Sequence, residues 1–285
     1  VSDVVFIVSE VANHFINIYG PGRETRDYFN RKSEMSKIVV GGAETFSVVD
    51  YPNKIAAVVF LQGCPWRCPF CYNTAVQKIG QPTDFIWERF LAFLHDRQGK
   101  LDAVVFSGGE PLVQDALGDA IDEVRALGYQ IGLHTGGYRP EHLQKLVSRL
   151  DWVGMDIKAP FEAERYRQVT QTNHLDKVLQ SLDILLSSGI DFECRTTCDP
   201  RLLTVEDIYH MAQDLAAKGV KKYFLQKYRP VPQDMVTTEA DCEKLVDNQA
   251  LLAQIKPLFK EFSCSIYESK VAKILSNQTI TFHSS

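Results

Sequence analysis

The feature that most constrains the fold is a regular alternation of two kinds of sequence segment that begins near residue 55. Short apolar or β-branched runs alternate with segments whose apolar residues recur at helical spacing. The runs predicted as strands are Ala56–Leu61, Ala103–Phe106, Gln130–Leu133, Trp152–Met155, Phe192–Cys194 and Tyr223–Leu225. The predicted helices are Phe85–Asp96, Leu112–Leu127, Pro140–Leu150, Leu175–Ser187 and Val205–Ala217.

Repeated strand–helix units imply parallel strands joined by right-handed crossovers. Because six strands are fewer than the eight of a closed barrel, residues 35–230 are predicted to form an α/β fold, an incomplete (β/α)6 TIM-like barrel. The tail, 231–285, is predicted to hold a helix at Cys242–Phe259 and a strand at Ser263–Tyr267, together a C-terminal α/β cap packed on the barrel.

Residues 1–34 carry no recognisable unit, and Met35 directly precedes the first orderly stretch. We expect Met35 to be the natural start, with residues 1–34 either an artefact of an upstream start or a dispensable extension. This prediction is tested by the intact mass of the protein from its native source.

The overall charge and the cysteine count narrow the class of protein. Thirty-one Lys and Arg against 36 Asp and Glu give a net charge of -5. This charge argues against a protein whose main role is to bind the backbone of nucleic acids. The sequence shows no apolar run near the ~20 residues that span a bilayer. Seven cysteines do not suit a secreted disulfide framework. We therefore expect a cytoplasmic protein with no nucleic-acid or membrane partner.

The strongest local signal is a C-x3-C-x2-C motif, Cys64, Cys68 and Cys71, directly after the first predicted strand. Thiolates suit iron–sulfur clusters or zinc, and a structural zinc site takes four protein ligands where this motif supplies three. On a four-iron cluster, three thiolates leave one iron open to a substrate, so the motif favours a [4Fe–4S] cluster. The alternatives are buried free thiols and a zinc site completed by a distant histidine such as His95.

A second motif, Ser107-Gly108-Gly109-Glu110-Pro111, follows the next strand. Two glycines let backbone carbonyls approach a ligand, and the Glu110 carboxylate suits an ammonium group. Taken alone, the motif is equally typical of a tight strand-to-helix turn.

Further polar residues follow the remaining predicted strands. Because the carboxyl ends of parallel strands open on one face, we expect these residues to share that face with the cysteines. They are His134, Thr135, Gly136 and Gly137, then Asp156 and Lys158, then Arg195, Thr196 and Thr197, and finally Gln226 and Lys227. Any one of these sets alone suits a solvated loop or a helix cap.

A second C-x3-C pair, Cys194 and Cys198, is open to two interpretations. It could hold an auxiliary cluster or form a redox pair. A core thiol beside a loop thiol is the favoured interpretation, since clusters normally need four ligands and the other cysteines are remote.

The cysteine motif, with Phe70 before its last cysteine, resembles the signature of the radical S-adenosylmethionine (radical SAM) superfamily, and Ser107–Pro111 resembles its Gly-Gly-Glu motif. A finer resemblance, to activating proteins of anaerobic ribonucleoside-triphosphate reductase, is carried by Phe46–Pro52, Met155–Pro160, Arg195-Thr196-Thr197 and Leu225-Gln226. Those proteins are activases of glycyl-radical enzymes. The resemblance runs from about residue 37 to 230.

The resemblance implies cofactors and roles. Cys64, Cys68 and Cys71 would hold the [4Fe–4S] cluster, whose open iron binds the methionine part of S-adenosylmethionine. The residues implied to bind that cofactor are Phe70, Gly108, Gly109, Glu110, Thr135, Asp156, Lys158, Arg195 and Gln226. His134 stands where a related activase has an aspartate, which leaves open whether this chain binds that relative's monovalent cation.

The implied reaction is cleavage of S-adenosylmethionine by an electron from the reduced cluster, after which a 5′-deoxyadenosyl radical takes a hydrogen from a glycine of a partner protein. A flavodoxin or ferredoxin would donate the electron. Two other functions stay open: a radical enzyme acting on a small molecule or a tRNA precursor, and a non-catalytic zinc or iron–sulfur module.

Overall fold

The computed structural model describes residues 38–265, so the predictions for residues 1–34 and for the end of the tail lie outside the described residues. Its strands lie side by side in chain order in one sheet of eight strands. They are β1 Val40–Ser47, β2 Ala56–Leu61, β3 Ala103–Gly108, β4 Gln130–Thr135, β5 Trp152–Asp156, β6 Asp191–Cys198, β7 Lys222–Lys227 and β8 Glu261–Ser265. Strand β1 is antiparallel to β2, and every later pair is parallel.

Helices cover the sheet between successive parallel strands. They are α1 Trp87–Asp96, α2 Leu117–Ala126, α3 Pro140–Leu146, α4 Ala163–Thr170, α5 Leu175–Ser188, α6 Val205–Ala217, α7 Glu239–Val246 and α8 Gln249–Ile255. Among residues 38–265, no helix is both long and apolar enough to pass through a bilayer. The order of strands and helices confirms the predicted α/β partial barrel.

The structure differs from the prediction in the tail. The predicted cap strand is instead a seventh parallel strand, β8, whose Cys264 pairs with Leu225 of β7. The single predicted tail helix is two helices, because Asn248 interrupts it and its side chain caps the N-terminus of α8 by accepting from the Leu251 N–H. The partial barrel therefore has seven parallel strands, one more than predicted.

Side chains alternate between two faces of the parallel strands. One face packs against the helices and forms the larger core, with members such as Val59, Phe106 and Leu133 fully buried. The other face lines the barrel interior, where a smaller cluster joins Tyr51, Ala56, Val58, Ala103, Val105 and Trp152. The interior is apolar around this smaller cluster, and the polar residues lie further toward the carboxyl ends of the strands.

The segment after β1 enters the barrel interior. Ser47 pairs with Ala56 at the amino end of β2, and the chain then turns so that the Tyr51 ring lies 5.0 Å from the Trp152 ring. The backbone carbonyl of Asp50 lies 2.8 Å from Nε2 of His134. From the Phe46–Pro52 motif, Tyr51 and the Asp50 carbonyl thus lie in the interior beneath the polar residues of the barrel mouth, whereas Phe46 is exposed.

Candidate cluster and cofactor site

The cysteine loop leaves β2 through Gly63, whose φ of +102° is a conformation that favours glycine. The Gly63 N–H donates to the Val76 carbonyl at 2.7 Å, and the Cys64 N–H donates to the Gln77 carbonyl at 3.0 Å. Within the loop, the Cys71 N–H donates to the Cys68 carbonyl at 3.1 Å. The first two bonds hold the start of the loop against residues 76–77, and the third closes a turn between two of the cysteines. The three thiols therefore lie on one short, ordered segment.

The three thiols lie in an environment that suits a metal centre. Cys64 and Cys68 are buried, while Cys71 is half-buried. Burial raises the pKa of Cys64 to about 12 and that of Cys68 to about 11, although the nearby Lys158 charge acts in the opposite direction on both. A thiol in such a place ionises only when positive charge is supplied, which a cluster does when it binds thiolates.

Among residues 38–265, no three Cys, His, Asp or Glu side chains are grouped as ligands of a single metal ion. A four-iron cluster is a larger object that takes each thiolate on a different iron atom. The donor set of three thiols on one loop fits such a cluster.

The Gly-Gly-Glu motif packs directly on the cysteine loop. The Gly109 N–H donates to the Leu61 carbonyl at 2.9 Å, and the Glu110 N–H donates to the Gly63 carbonyl at 2.8 Å. A Cβ on Gly109 would lie 2.2 Å from the Gly63 oxygen, and one on Gly108 would lie 2.2 Å from the Leu61 nitrogen. The glycines are therefore required for backbone packing against the loop, a reason that the sequence did not reveal.

The Glu110 carboxylate joins the ends of β3 and β4. It accepts hydrogen bonds from the Thr135 hydroxyl at 2.5 Å, the Gly136 N–H at 2.8 Å and the Leu112 N–H at 3.1 Å. Burial raises the pKa of Glu110 to about 7 against the opposing effect of these donors. Glu110 and Thr135, two predicted site residues, are thus in direct contact.

Asp156 and Lys158 form an ion pair at the end of β5, with Nζ 2.9 Å from Oδ2. Burial alone would lower the pKa of Lys158, but Asp156, Cys68 and Cys64 raise it well above its ordinary value. Its ammonium also lies 5.6 Å from the centre of the Trp66 ring. Lys158 is therefore a charged group held between the cysteine loop and the carboxyl end of β5.

Arg195 lies in the barrel interior, opposite Asp156 in the strand pairing. Its Nε donates to the buried Glu193 carboxylate at 2.7 Å, and its guanidinium lies 4.9 Å from the centre of the Trp152 ring. Its Nη1 lies 3.0 Å from Nε2 of His134. Burial and the Arg195 charge lower the pKa of His134 to about 4, so this imidazole is neutral near neutral pH.

Two predicted residues are placed differently from the rest. Phe70 is buried in the larger core, within the cysteine loop. Gln226 lies in β7, paired with Thr197, on the far side of β6 from Asp156 and Lys158. Cys194 and Cys198 are fully buried free thiols.

Sequence reasoning missed three residues that shape the site, namely Trp66, Tyr166 and Glu193. The Trp66 indole N–H donates to the Tyr166 hydroxyl at 2.9 Å, across 100 positions of sequence. A Cβ on Gly136 would lie 2.8 Å from the Trp66 ring. A tryptophan between two cysteines of the C-x3-C-x2-C motif was the one available signal, since a large aromatic in a short loop needs a surface on which to pack.

Comparison with known proteins agrees with this geometry. Residues 58–198 match the family model described as the radical SAM superfamily. A protein of Methanocaldococcus jannaschii named as a glycyl-radical enzyme activating enzyme is 29% identical over 212 residues, which cover 68% of this chain and 81% of the relative. The pyruvate formate-lyase-activating enzyme of Clostridium pasteurianum is 33% identical over 122 residues, 40% of this chain and 50% of the relative.

Solved structures share the fold. SuiB of Streptococcus suis, solved with S-adenosylmethionine bound, superposes with a TM-score of 0.56 at 11% identity, over 72% of this chain and 48% of SuiB. The match therefore spans about half the length of SuiB and of the Clostridium activating enzyme.

A partial parallel barrel with three cysteines at its mouth and a Gly-Gly-Glu turn packed on their loop defines a radical SAM enzyme. Residues 58–198 of the chain form a radical SAM superfamily domain. The predicted resemblance to the radical SAM superfamily and to activases of glycyl-radical enzymes is thereby confirmed, as are the predicted cofactors, a [4Fe–4S] cluster and S-adenosylmethionine.

Proposed function

We propose that this protein activates a glycyl-radical enzyme, and that the enzyme it activates is anaerobic ribonucleoside-triphosphate reductase. The observation that carries the first part is the similarity to the M. jannaschii activating enzyme, which extends over 68% of this chain. The Phe46–Pro52, Met155–Pro160 and Arg195–Thr197 motifs support the second part, since they resemble one branch of reductase activases.

We assign Cys64, Cys68 and Cys71 as the cluster ligands. Gly108, Gly109 and Glu110 form the turn that would receive the ammonium of S-adenosylmethionine. Thr135 would fix the Glu110 carboxylate, to which it donates a hydrogen bond. Lys158 is the cation best placed to meet the cofactor carboxylate, because it acts electrostatically on Cys64, Cys68 and Glu110.

Bound together, the cluster and S-adenosylmethionine supply a carbon radical able to remove a hydrogen atom from a C–H bond. The chain's own residues position these groups and exclude water. Phe70 and Trp66 bury the cysteine loop, and both are less than a tenth exposed. A glycine Cα suits such a reaction, because its radical is delocalised over the two flanking peptide groups.

Electron paramagnetic resonance tests the proposal directly. The reconstituted enzyme, S-adenosylmethionine, a flavodoxin or ferredoxin reductant and the candidate reductase are mixed without oxygen. We expect a glycine-centred doublet that requires all four components and disappears when the target glycine of the reductase is replaced by alanine. Formation of 5′-deoxyadenosine with no doublet would exclude this partner and leave the radical SAM assignment intact.

A second candidate function is a radical reaction on a nucleotide-like small molecule. The GTP 3′,8-cyclase of Corynebacterium glutamicum is 27% identical over 214 residues, 68% of this chain and 56% of the relative. Nucleoside triphosphates that raise the yield of 5′-deoxyadenosine and are themselves modified, as seen by mass spectrometry, would favour this function.

We also propose a cytoplasmic location. All seven cysteines are free thiols, which suits a reducing compartment. Fractionation of the native cells tests this proposal.

A further inference from the structure

Arg67 is an exposed residue of the cysteine loop, yet its guanidinium turns back onto the backbone of that loop. Its Nη1 donates to the Cys64 carbonyl and to the Trp66 carbonyl, each at 2.7 Å. A terminal guanidinium nitrogen carries two N–H groups, so both are used and the position of the charge is fixed. The Arg67 N–H also donates to the carbonyl of Thr170, the last residue of α4, at 3.4 Å. Arg67 therefore holds a cation on the backbone of Cys64.

The charge of this guanidinium is not cancelled by the groups that its Nη1 contacts. Both acceptors are backbone carbonyls, which are dipoles without net charge. Lys158, a second cation beside the cysteine loop, is instead paired with the Asp156 carboxylate at 2.9 Å. Arg67 thus adds a positive charge to the loop, whereas the charge of Lys158 is offset by that of Asp156.

The Arg67 charge also lies close to the Cys64 thiol. The covalent path from the carbonyl oxygen of a cysteine to its Sγ spans at most about 5 Å, so Nη1 lies within about 8 Å of Cys64 Sγ. This separation does not exceed the Debye length at physiological ionic strength, about 8 Å, so salt does not remove the interaction although Arg67 is exposed. Cys64 itself is buried, which keeps water from screening the thiol.

We propose that Arg67 raises the reduction potential of the cluster held by Cys64, Cys68 and Cys71. Reduction adds one electron to the cluster, and a nearby positive charge stabilises the more negative, reduced form. Such potentials depend on net charge and on hydrogen bonds near the ligand sulfurs. A flavodoxin or ferredoxin reductant supplies the electron, and no bond forms or breaks at Arg67. This inference rests on the cluster ligands assigned under the proposed function and not on the identity of the partner protein.

The reduction potential of the reconstituted cluster tests it, measured by potentiometry with EPR detection, without S-adenosylmethionine and with iron content matched among variants. We expect Arg67→Met to make reduction about tenfold less favourable, or about 59 mV lower for a one-electron couple, because a nearby unit charge is lost. Arg67→Lys keeps the charge, so its potential should lie closer to that of the wild type than to that of Arg67→Met.

Arg125→Met is the matched control. It removes a guanidinium that also donates to a backbone carbonyl, that of Arg149 at 3.0 Å. Arg125 lies at the end of α2 and pairs with Asp151 beside the amino end of β5, at the opposite end of the strands from the cysteine loop. The net charge of the protein changes by the same amount as in Arg67→Met, but the cluster potential should not change.

The variants separate the charge of Arg67 from a merely structural role. If the side chain only shaped the loop, the variants would lose iron, but the cluster that remained would keep the wild-type potential. A wild-type potential in Arg67→Met, or equal shifts in Arg67→Lys and Arg67→Met, would overturn the proposal. Should Arg67→Met hold too little cluster to measure, Arg67→Gln gives the same comparison, since it is neutral but keeps an amide donor for the loop carbonyls. A wild-type chain that forms no cluster would contradict the ligand assignment instead.

Discussion

The indole N–H of Trp66 donates a hydrogen bond to the hydroxyl of Tyr166, and both side chains are at most 2% exposed. Trp66 lies between Cys64 and Cys68, whereas Tyr166 lies on α4. The Trp66 ring also meets Tyr138 and His174 edge-on, with centroids 5.9 and 6.1 Å away. This single side chain therefore connects the cysteine loop to the β4–α3 loop, to α4 and to the residue that precedes α5.

Tyr166→Phe removes the acceptor and leaves the buried indole N–H without a partner. We expect a loss of about 1–3 kcal/mol in the free energy of unfolding, with faster loss of iron from the holoenzyme on exposure to a chelator. Tyr209→Phe is the matched control, because the Tyr209 hydroxyl accepts only an exposed bond from Gln213 and should change stability by less than about 0.5 kcal/mol. Urea unfolding and chelator kinetics measure the two effects, and equal behaviour of the two variants would contradict this role of Trp66.

Gly109→Ala tests whether the glycine motif is required by backbone packing. Its Cβ would lie 2.2 Å from the Gly63 oxygen and 2.9 Å from the Val76 oxygen, both backbone atoms that cannot move aside cheaply. We expect the cysteine loop to shift, with a stability loss of about 3 kcal/mol and reduced iron content after reconstitution. Gly128→Ala, where a Cβ meets nothing within 4 Å and only the φ of +89° is strained, should cost about 1–2 kcal/mol and keep its iron.

Replacing cysteines one at a time tests the ligand assignment. Cys64→Ser, Cys68→Ser and Cys71→Ser should each abolish the visible absorption of the reconstituted cluster, whereas Cys242→Ser should keep it. The wild-type protein should contain about four iron and four sulfide per chain. One zinc per chain with no labile sulfide would instead favour the zinc alternative.

The apolar runs located the six parallel strands from β2 to β7, but several of these were predicted to end too early. Strand β6 was predicted over Phe192–Cys194 and extends to Cys198. Its last residues are polar, yet they continue the pairing with β7, as Thr197 does with Gln226. Polar side chains that line a barrel mouth resemble loop residues in sequence, because the apolar signal stops where the site begins.

Two other features of the fold could not be predicted from a local sequence pattern. Helix α4, Ala163–Thr170, buries only Tyr166, Val169 and Thr170, which is too few apolar residues to give a clear helical period. The pairing of β8 with β7 joins segments more than 30 residues apart, so nothing in the tail itself distinguished a seventh barrel strand from a cap. The Glu193–Arg195 ion pair was missed for a related reason, since charged residues in a strand predict an exposed edge unless the partner is known.

The last prediction concerns Lys158. Its side chain is 14% exposed, and its ammonium pairs with Asp156 and acts on Cys64 and Cys68, so it contributes a fixed positive charge beside the cysteine loop. Lys158→Met keeps most of the side-chain volume but removes that charge, and it leaves Asp156 unpaired. We expect the Kd for S-adenosylmethionine to rise at least about tenfold, because a charge-assisted bond to the cofactor carboxylate is lost.

Lys218→Met is the control for Lys158→Met. Its ion pair with Asp183 lies on the surface, where such pairs contribute little, so neither the Kd nor the iron content should change. Arginine at position 158 restores the charge but not the shape of the ammonium group, and it must fit beside Trp66 and Gly136, where the space is already filled. We therefore expect Lys158→Arg to recover only part of the affinity, and full affinity in Lys158→Met would show that the cofactor carboxylate is held by another group.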